Sequence, residues 1–347
     1  MPNSGCDPLR ALWWVLLCAT LFGIGAAQAD ARNASPLVGR HAGYEGYLIG
    51  DPSAPTPAPV APGAMLMGGH DWPRDAFEWF AARAGHGHIV ILRASGKGEL
   101  GKKFFEEIGG VASVRTFVFH DRAPAGDPVV LDAIRRADGI FLAGGNQANY
   151  IRFWKGTPLN AALDAHVAAG KPIGGTSAGL AVLGAFVYGA LDGRSVTSRR
   201  ALRDPLDDGV TLERGFLHVP YLQRIITDTH FGKRDRLGRL IAFVANLRGR
   251  GDEDVIGLGV DEDTALCIDG DGIGRIFTRD DGKAWLVRPG AAAVRVAAGA
   301  PLELRDIRVT GIGRDSRIDM RDLAVERPAF ERIADVGDGE LTLREAD

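Results

Sequence analysis

Between residues 64 and 176 the chain repeats one pattern about every 25 residues, a short apolar run followed by a stretch with helical spacing. Ala64–Gly68, His88–Arg93, Val114–Phe119, Gly139–Ala143 and Pro172–Thr176 read as strands. Arg74–Arg83, Gly101–Ile108, Val129–Arg136 and Leu159–Ala169 read as the helices between them. Parallel neighbours need a crossover connection, and helical crossovers cover the faces of the sheet they connect. The expected fold class is therefore α/β, an open and mostly parallel sheet with helices on both faces. In such sheets ligands collect at the carboxyl ends of the strands.

The fifth strand runs straight into Gly175-Thr-Ser-Ala-Gly179 and then into a helical pattern. This is the G-x-S-x-G arrangement of a nucleophile elbow. A sharp strand-to-helix turn lifts the Ser177 hydroxyl clear of the sheet, and the flanking glycines allow close backbone approach. The start of the following helix offers free N–H groups where an oxyanion would form. Gly144-Gly-Asn-Gln147 ends the fourth strand and lands on the same rim, as does Gly68-Gly-His70 after the first. The pentapeptide alone fits any small-residue β–α turn, so the reading needs a base.

His230 is the candidate base. It follows Asp228-Thr229 and precedes a segment carrying Arg234, Arg236 and Arg239. A neutral imidazole in reach of Ser177 would take the hydroxyl proton during attack and return it to the leaving amine. The arginines would offer an anion-binding surface for a substrate carboxylate, or else a solvated helix face pairing with Asp235. Gly232–Phe243 reads as one helix, and His218 as a core histidine in an apolar strand. Strand-like runs continue through Val255–Val260, Ala265–Ile268, Arg275–Phe277, Trp285–Val287 and Leu302–Thr310, extending the same domain.

The N-terminus reads as a targeting segment. Arg10 precedes the apolar run Ala11–Ile24, and Ala27-Gln-Ala29 is an A-x-A cleavage site, so 1–29 is expected to be a signal peptide of a periplasmic or secreted protein. Residues 30–63 include the proline-rich Asp51–Pro62 and are expected to be irregular; 64–312 form the α/β domain, and 313–347 a loosely held tail. Cys6 and Cys18 leave with the signal, and Cys267 reads as core. A net charge of −3 gives no case for nucleic acid or for an acidic membrane surface. The acid-rich runs Asp252-Glu-Asp254, Asp261-Glu-Asp263 and Asp269-Gly-Asp-Gly272 lack a complete calcium-loop spacing and read as turns.

Taken together, Gly144–Gln147, Gly174–Gly179, Asp228–Phe231 with its three arginines, and Gly259-Val-Asp-Glu-Asp-Thr-Ala265 occur in an order and spacing that resemble the cyanophycinase family of serine peptidases, family S51. The resemblance covers roughly residues 60–310. It implies a fold like that of class I glutamine amidotransferases, with Ser177 as nucleophile and His230 as general base. It implies an oxyanion hole from the N–H groups of Gly145 or Asn146 and of Ala178. Gln147, Asp228, Thr229, Arg234, Arg236 and Arg239 would line a pocket for a β-aspartyl-arginine unit or a related peptide. It implies no metal and no cofactor, and it leaves room for a homodimer with no membrane contact after signal cleavage.

Two positions depart from the family pattern. Thr229 stands where cyanophycinases proper carry glutamine. The family's acid between nucleophile and histidine is expected around Ser198–Leu202, where this chain has Arg199 and Arg200. Asp192, Asp204, Asp207, Asp208 or Asp228 would have to substitute, and Glu262 reads as a structural carboxylate. The alternative these departures raise is a catalytically impaired or non-catalytic ligand-binding member of the same fold.

Overall fold

The computed structural model describes residues 37–98, 100–290 and 296–346. The expected signal peptide, 1–29, lies outside the described residues. Five parallel strands form the centre of a sheet in the spatial order β5 (Ser113–Phe119), β4 (His88–Arg93), β6 (Gly139–Leu142), β7 (Ile173–Thr176), β3 (Gly63–Met67). Their residues are almost all buried, as strands covered on both faces must be. The α/β class with a parallel core and added C-terminal strands is therefore what the chain adopts.

The flanks differ from the sequence reading. Residues 30–63 were expected to be irregular, yet β1 (Leu37–His41) and β2 (Tyr44–Gly50) form a hairpin that pairs antiparallel with β5. Tyr44 explains the docking. It is 1% exposed, stacks on His41 at 4.6 Å and meets Phe117 and Phe119. The proline-rich stretch does stay irregular and runs as a strap, with Ala58 and Ala61 N–H donating to the carbonyls of Gly85 and Arg83.

The later strands do not all extend one sheet. β12 (Thr264–Asp269), β13 (Ile273–Thr278), β16 (Arg317–Asp319) and β17 (Ala324–Glu326) continue the first sheet beyond β3. A second sheet runs β19 (Glu340–Glu345), β18 (Phe330–Gly337), β15 (Leu304–Ile312), β14 (Ala284–Arg288), β11 (Ile256–Val260), β10 (Ile225–Asp228), β8 (Phe186–Tyr188), β9 (Leu212–Arg214). The two sheets share a core in which Leu66 and Leu142 of the first meet Ile225, Leu258 and Leu286 of the second. The expected tail 313–347 is thus mostly paired strands from Arg317 to Glu345. Ala334 and Val336 alternate inward along β18, and the intervening charged residues gave the segment its polar look.

The arginine-bearing helix begins later than its pattern suggested, at Leu237, and runs to Gly249 with Leu237–Leu247 buried against the second sheet. His218 is not core: its side chain is 73% exposed and bonds Asp164 at 3.1 Å. Cys267 is buried, and burial pushes its thiol well up. Among the described residues no helix is long and apolar enough to cross a membrane.

If the β1–β2 hairpin is part of the folded core, Tyr44→Ala removes a fully buried aromatic and costs about 3 kcal/mol of stability. Urea unfolding checks this; a variant within 0.5 kcal/mol of the native protein, as expected of a surface site, would show the hairpin to be dispensable.

Candidate active site

β7 ends at Thr176, and Ser177 follows with φ 51° and ψ −116°. A non-glycine residue in this region is strained and is held there by its surroundings. Those surroundings need glycine on both sides. A Cβ on Gly175 would lie 2.5 Å from the Gly179 carbonyl oxygen, and one on Gly179 would lie 1.9 Å from that of Leu142. The short helix Ala178–Ala181 then starts directly at the serine, and the Ser177 N–H is anchored on the Met67 carbonyl at 3.1 Å.

His230 arrives from the other sheet. It follows β10 with φ 45°, and its N–H donates to the Gly68 carbonyl at 2.8 Å. Its ring lies over Gly69, where an added Cβ would sit 2.3 Å from the imidazole. Nε2 is 2.7 Å from Ser177 Oγ. Nδ1 is 2.6 Å from Oε1 of Glu262. Glu262 lies in the three-residue link between β11 of the second sheet and β12 of the first. That link is stitched down by its neighbours: Asp261 accepts from Gly232 N–H, Trp285 Nε1 and Lys283 N–H, and Asp263 N–H donates to the Gly69 carbonyl.

The acid facing the histidine is therefore Glu262, downstream of it, which corrects the expectation of an acid near Ser198–Leu202. Arg200 pairs with Asp207 at 2.7 Å, and Arg199 is exposed. Glu262 is no bystander carboxylate. The signal that could have found it is an acid between two apolar strands, but only the crossing from one sheet to the other aims it at the imidazole. Burial pushes the His230 imidazole below its ordinary 6.5, with Arg234 and Arg236 adding to the depression; the bond to Glu262 works the other way. The ring is thus kept neutral, with a free Nε2 lone pair when Nδ1–H donates to Glu262.

The other expected site residues divide. Gly144 passes against Ser177, with an added Cβ 3.4 Å from the serine Cβ, and Gly145 holds φ 146°. The Gly145 and Ala178 N–H groups have no hydrogen-bond partner among the described residues. The Asn146 N–H does not share that freedom, since it donates to Ser95 Oγ at 2.9 Å, so its expected role as oxyanion donor is corrected. The Asn146 side chain instead caps the helix Gln147–Trp154. Gln147 Nε2 donates to the Tyr188 carbonyl.

Asp228 and Arg239 do not line an open pocket. They are 3% and 2% exposed and form a two-bond pair at 2.7 and 2.5 Å. The remaining Arg239 nitrogen donates to Ser195 and Val196, and the guanidinium lies 5.2 Å from the Tyr188 ring centroid. Arg236 is buried on the Thr229 carbonyl at 2.7 Å, and burial brings it down to about 10. Their sequence spacing looked like a charged helix face, yet the fold closes both arginines over one carboxylate as an internal brace. Thr229 is buried with them. Arg234 alone of the three is open, 52% exposed and 3.9 Å from Glu262.

Glu262→Ala is expected to lower kcat by roughly a thousandfold or more, because the imidazole loses the carboxylate that fixes its tautomer. Arg199→Ala and Arg200→Ala should stay near the native rate. Steady-state rates of the three variants check this; a large loss in the arginine variants with little in Glu262→Ala would reverse the assignment.

The chain matches the model of peptidase family S51 over residues 101–276. It is 33% identical over 217 residues to the cyanophycinase of Synechococcus elongatus, an alignment covering 61% of this chain and 62% of that protein, less than two thirds of its length. It is 27% identical over 294 residues to the cyanophycinase of Trichormus variabilis, covering 80% of this chain and 92% of that one. Its fold resembles the crystal structure of a peptidase from an acI-B1 Actinobacterium, with a TM-score of 0.51 and 16% identity, over 75% of this chain and 97% of that chain. With Ser177 on its elbow and the family pattern spanning half the sequence, the chain belongs to peptidase family S51.

Proposed function

We propose that the protein is a serine hydrolase that cleaves a β-aspartyl peptide bond, of the β-Asp-Arg type or a close relative, through an acyl-enzyme on Ser177. The observation that carries this reading is the continuous chain Ser177 Oγ, His230 Nε2, His230 Nδ1, Glu262 Oε1, with spacings of 2.7 and 2.6 Å. Ser177 Oγ attacks the scissile carbonyl carbon while His230 Nε2 takes its proton. Glu262 accepts from Nδ1–H and stabilises the imidazolium that forms. The Gly145 and Ala178 N–H groups receive the developing oxyanion. The imidazolium then protonates the leaving amine, and water repeats the sequence to release the acid.

The substrate class rests on the likeness to cyanophycinases and on charge. The exposed guanidinium of Arg234, 3.9 Å from Glu262, supports a role in meeting a free aspartyl carboxylate. Thr229, which stands where cyanophycinases carry glutamine, is buried against Arg236. The Arg10–Ala29 segment supports export as part of the same proposal. The non-catalytic alternative took its motive from a missing acid near Ser198, and Glu262 removes that motive.

Incubating the protein and its Ser177→Ala variant with cyanophycin and a panel of β-aspartyl dipeptides, with products read by mass, tests the reading. Serine-dependent release is expected, and the variant should lose essentially all activity. Release of the same product by Ser177→Ala would overturn it.

The pH dependence has a definite sign. Burial disfavours the protonated ring, so His230 stays a neutral base below the ordinary imidazole value of 6.5. The acid limb of kcat/KM, which reports the free enzyme, is expected below pH 6.5. Stability follows the same sign: the contribution of neutral His230 is fully present above pH 6.5 and declines as pH falls through that value toward the lower folded one. An acid limb above 6.5 would show that the Glu262 bond outweighs burial.

A further inference from the structure

The Gly144–Asn146 loop has to hold an N–H against the serine, yet two successive glycines give it little stiffness of its own. An oxyanion site works by being fixed before the charge forms. The neighbouring strand supplies that fixity. Near the end of β4, the Leu92 carbonyl accepts from Ala143 N–H at 3.0 Å, and the Tyr150 hydroxyl sits between the carbonyls of Leu92 and Ala143. Asn149 Nδ2 donates to the Ala94 carbonyl at 3.0 Å. These contacts hold both ends of the loop and leave its middle free.

The middle is held by Ser95. Its Oγ accepts the Asn146 N–H at 2.9 Å, and it occupies the space where a Cβ on Gly145 would lie, 2.2 Å away. Gly145 is thus the joint between an N–H tied to Ser95 and an N–H left open beside Ser177. We infer that Ser95 is a positioning residue of the oxyanion site. It ties down the Asn146 peptide, fixes the rotation of Gly145 and so aims the Gly145 N–H at the reacting carbonyl. Its role rests on the serine reading above and goes beyond it, since Ser95 touches neither nucleophile nor base.

The test uses a fluorophosphonate, which needs no knowledge of the substrate. Ser177 Oγ attacks phosphorus, the O–P bond forms, the P–F bond breaks, fluoride leaves and His230 Nε2 takes the serine proton. The P=O oxygen of the adduct occupies the oxyanion site. Ser95→Ala is expected to slow labelling about tenfold, the worth of one positioning hydrogen bond. It should also shift the ³¹P resonance of the adduct relative to the native adduct, because the P=O loses an aligned donor. Thermal melting should show the variant folded, and a variant that merely loosened the fold would leave the adduct resonance unmoved.

Native-rate labelling by Ser95→Ala, or slow labelling with an unchanged ³¹P resonance, would overturn the role of Ser95 alone. If the native protein were not labelled, or if Ser177→Ala were labelled equally, the serine reading itself would fall and this inference with it.

Discussion

Everything at the site depends on how closely two sheets approach at Gly68 and Gly69. The His230 N–H on the Gly68 carbonyl, the Asp263 N–H on the Gly69 carbonyl and the Phe231 N–H on the Val260 carbonyl lock the end of β3 to the ends of β10 and β11. A side chain at Gly68 would lie 1.9 Å from the Asp261 carbonyl oxygen, and one at Gly69 would strike the imidazole. The separation is short because neither residue has a Cβ. The serine belongs to one sheet, the histidine to the other, and the glutamate to the strand-to-strand link between them. The hydrogen-bonded chain forms only if that seam closes.

Charge is arranged in two shells around the seam. Outside, Arg234 stands exposed beside Glu262. Beneath, Arg236 and Arg239 close over Asp228 and donate to Thr229, Ser195 and Val196, so that each buried charge has a partner. Removing one partner of such a set leaves a buried charge uncompensated, which is far more costly than the pair is stabilising. The brace sits directly before His230 in the chain, at Asp228 and Thr229, and so fixes the turn that presents the imidazole. Solvent exposure and scaffold rigidity are thus divided among three arginines that the sequence presents as one motif.

Much of this was legible in the residues. The apolar runs from Ala64 to Thr176 reported the parallel core, because strands buried on both faces carry an unbroken apolar signal. The glycines around Ser177 reported the elbow, because a Cβ on Gly175 or Gly179 would lie 2.5 or 1.9 Å from a backbone carbonyl oxygen. The strands at either end of the chain were harder to see. Tyr44 and the inward residues Ala334 and Val336 alternate with polar neighbours, and a half-exposed antiparallel strand resembles a loop when its partner is unknown.

The sequence by itself determined the class of fold and singled out the candidate serine and histidine, since the strand–helix alternation, the glycine-flanked elbow and the Asp228–Phe231 run are local patterns. Only the tertiary structure decided which acid meets His230, which arginines are free, and which N–H groups remain for an oxyanion. Glu262 lies 32 residues beyond the histidine and Ser95 lies 51 before Asn146. Such pairings follow from where a chain crosses between sheets and where one strand end lies beside another. Local periodicity carries no record of either, because hydrogen bonds depend on distances of about 3 Å that spacing along the chain does not fix.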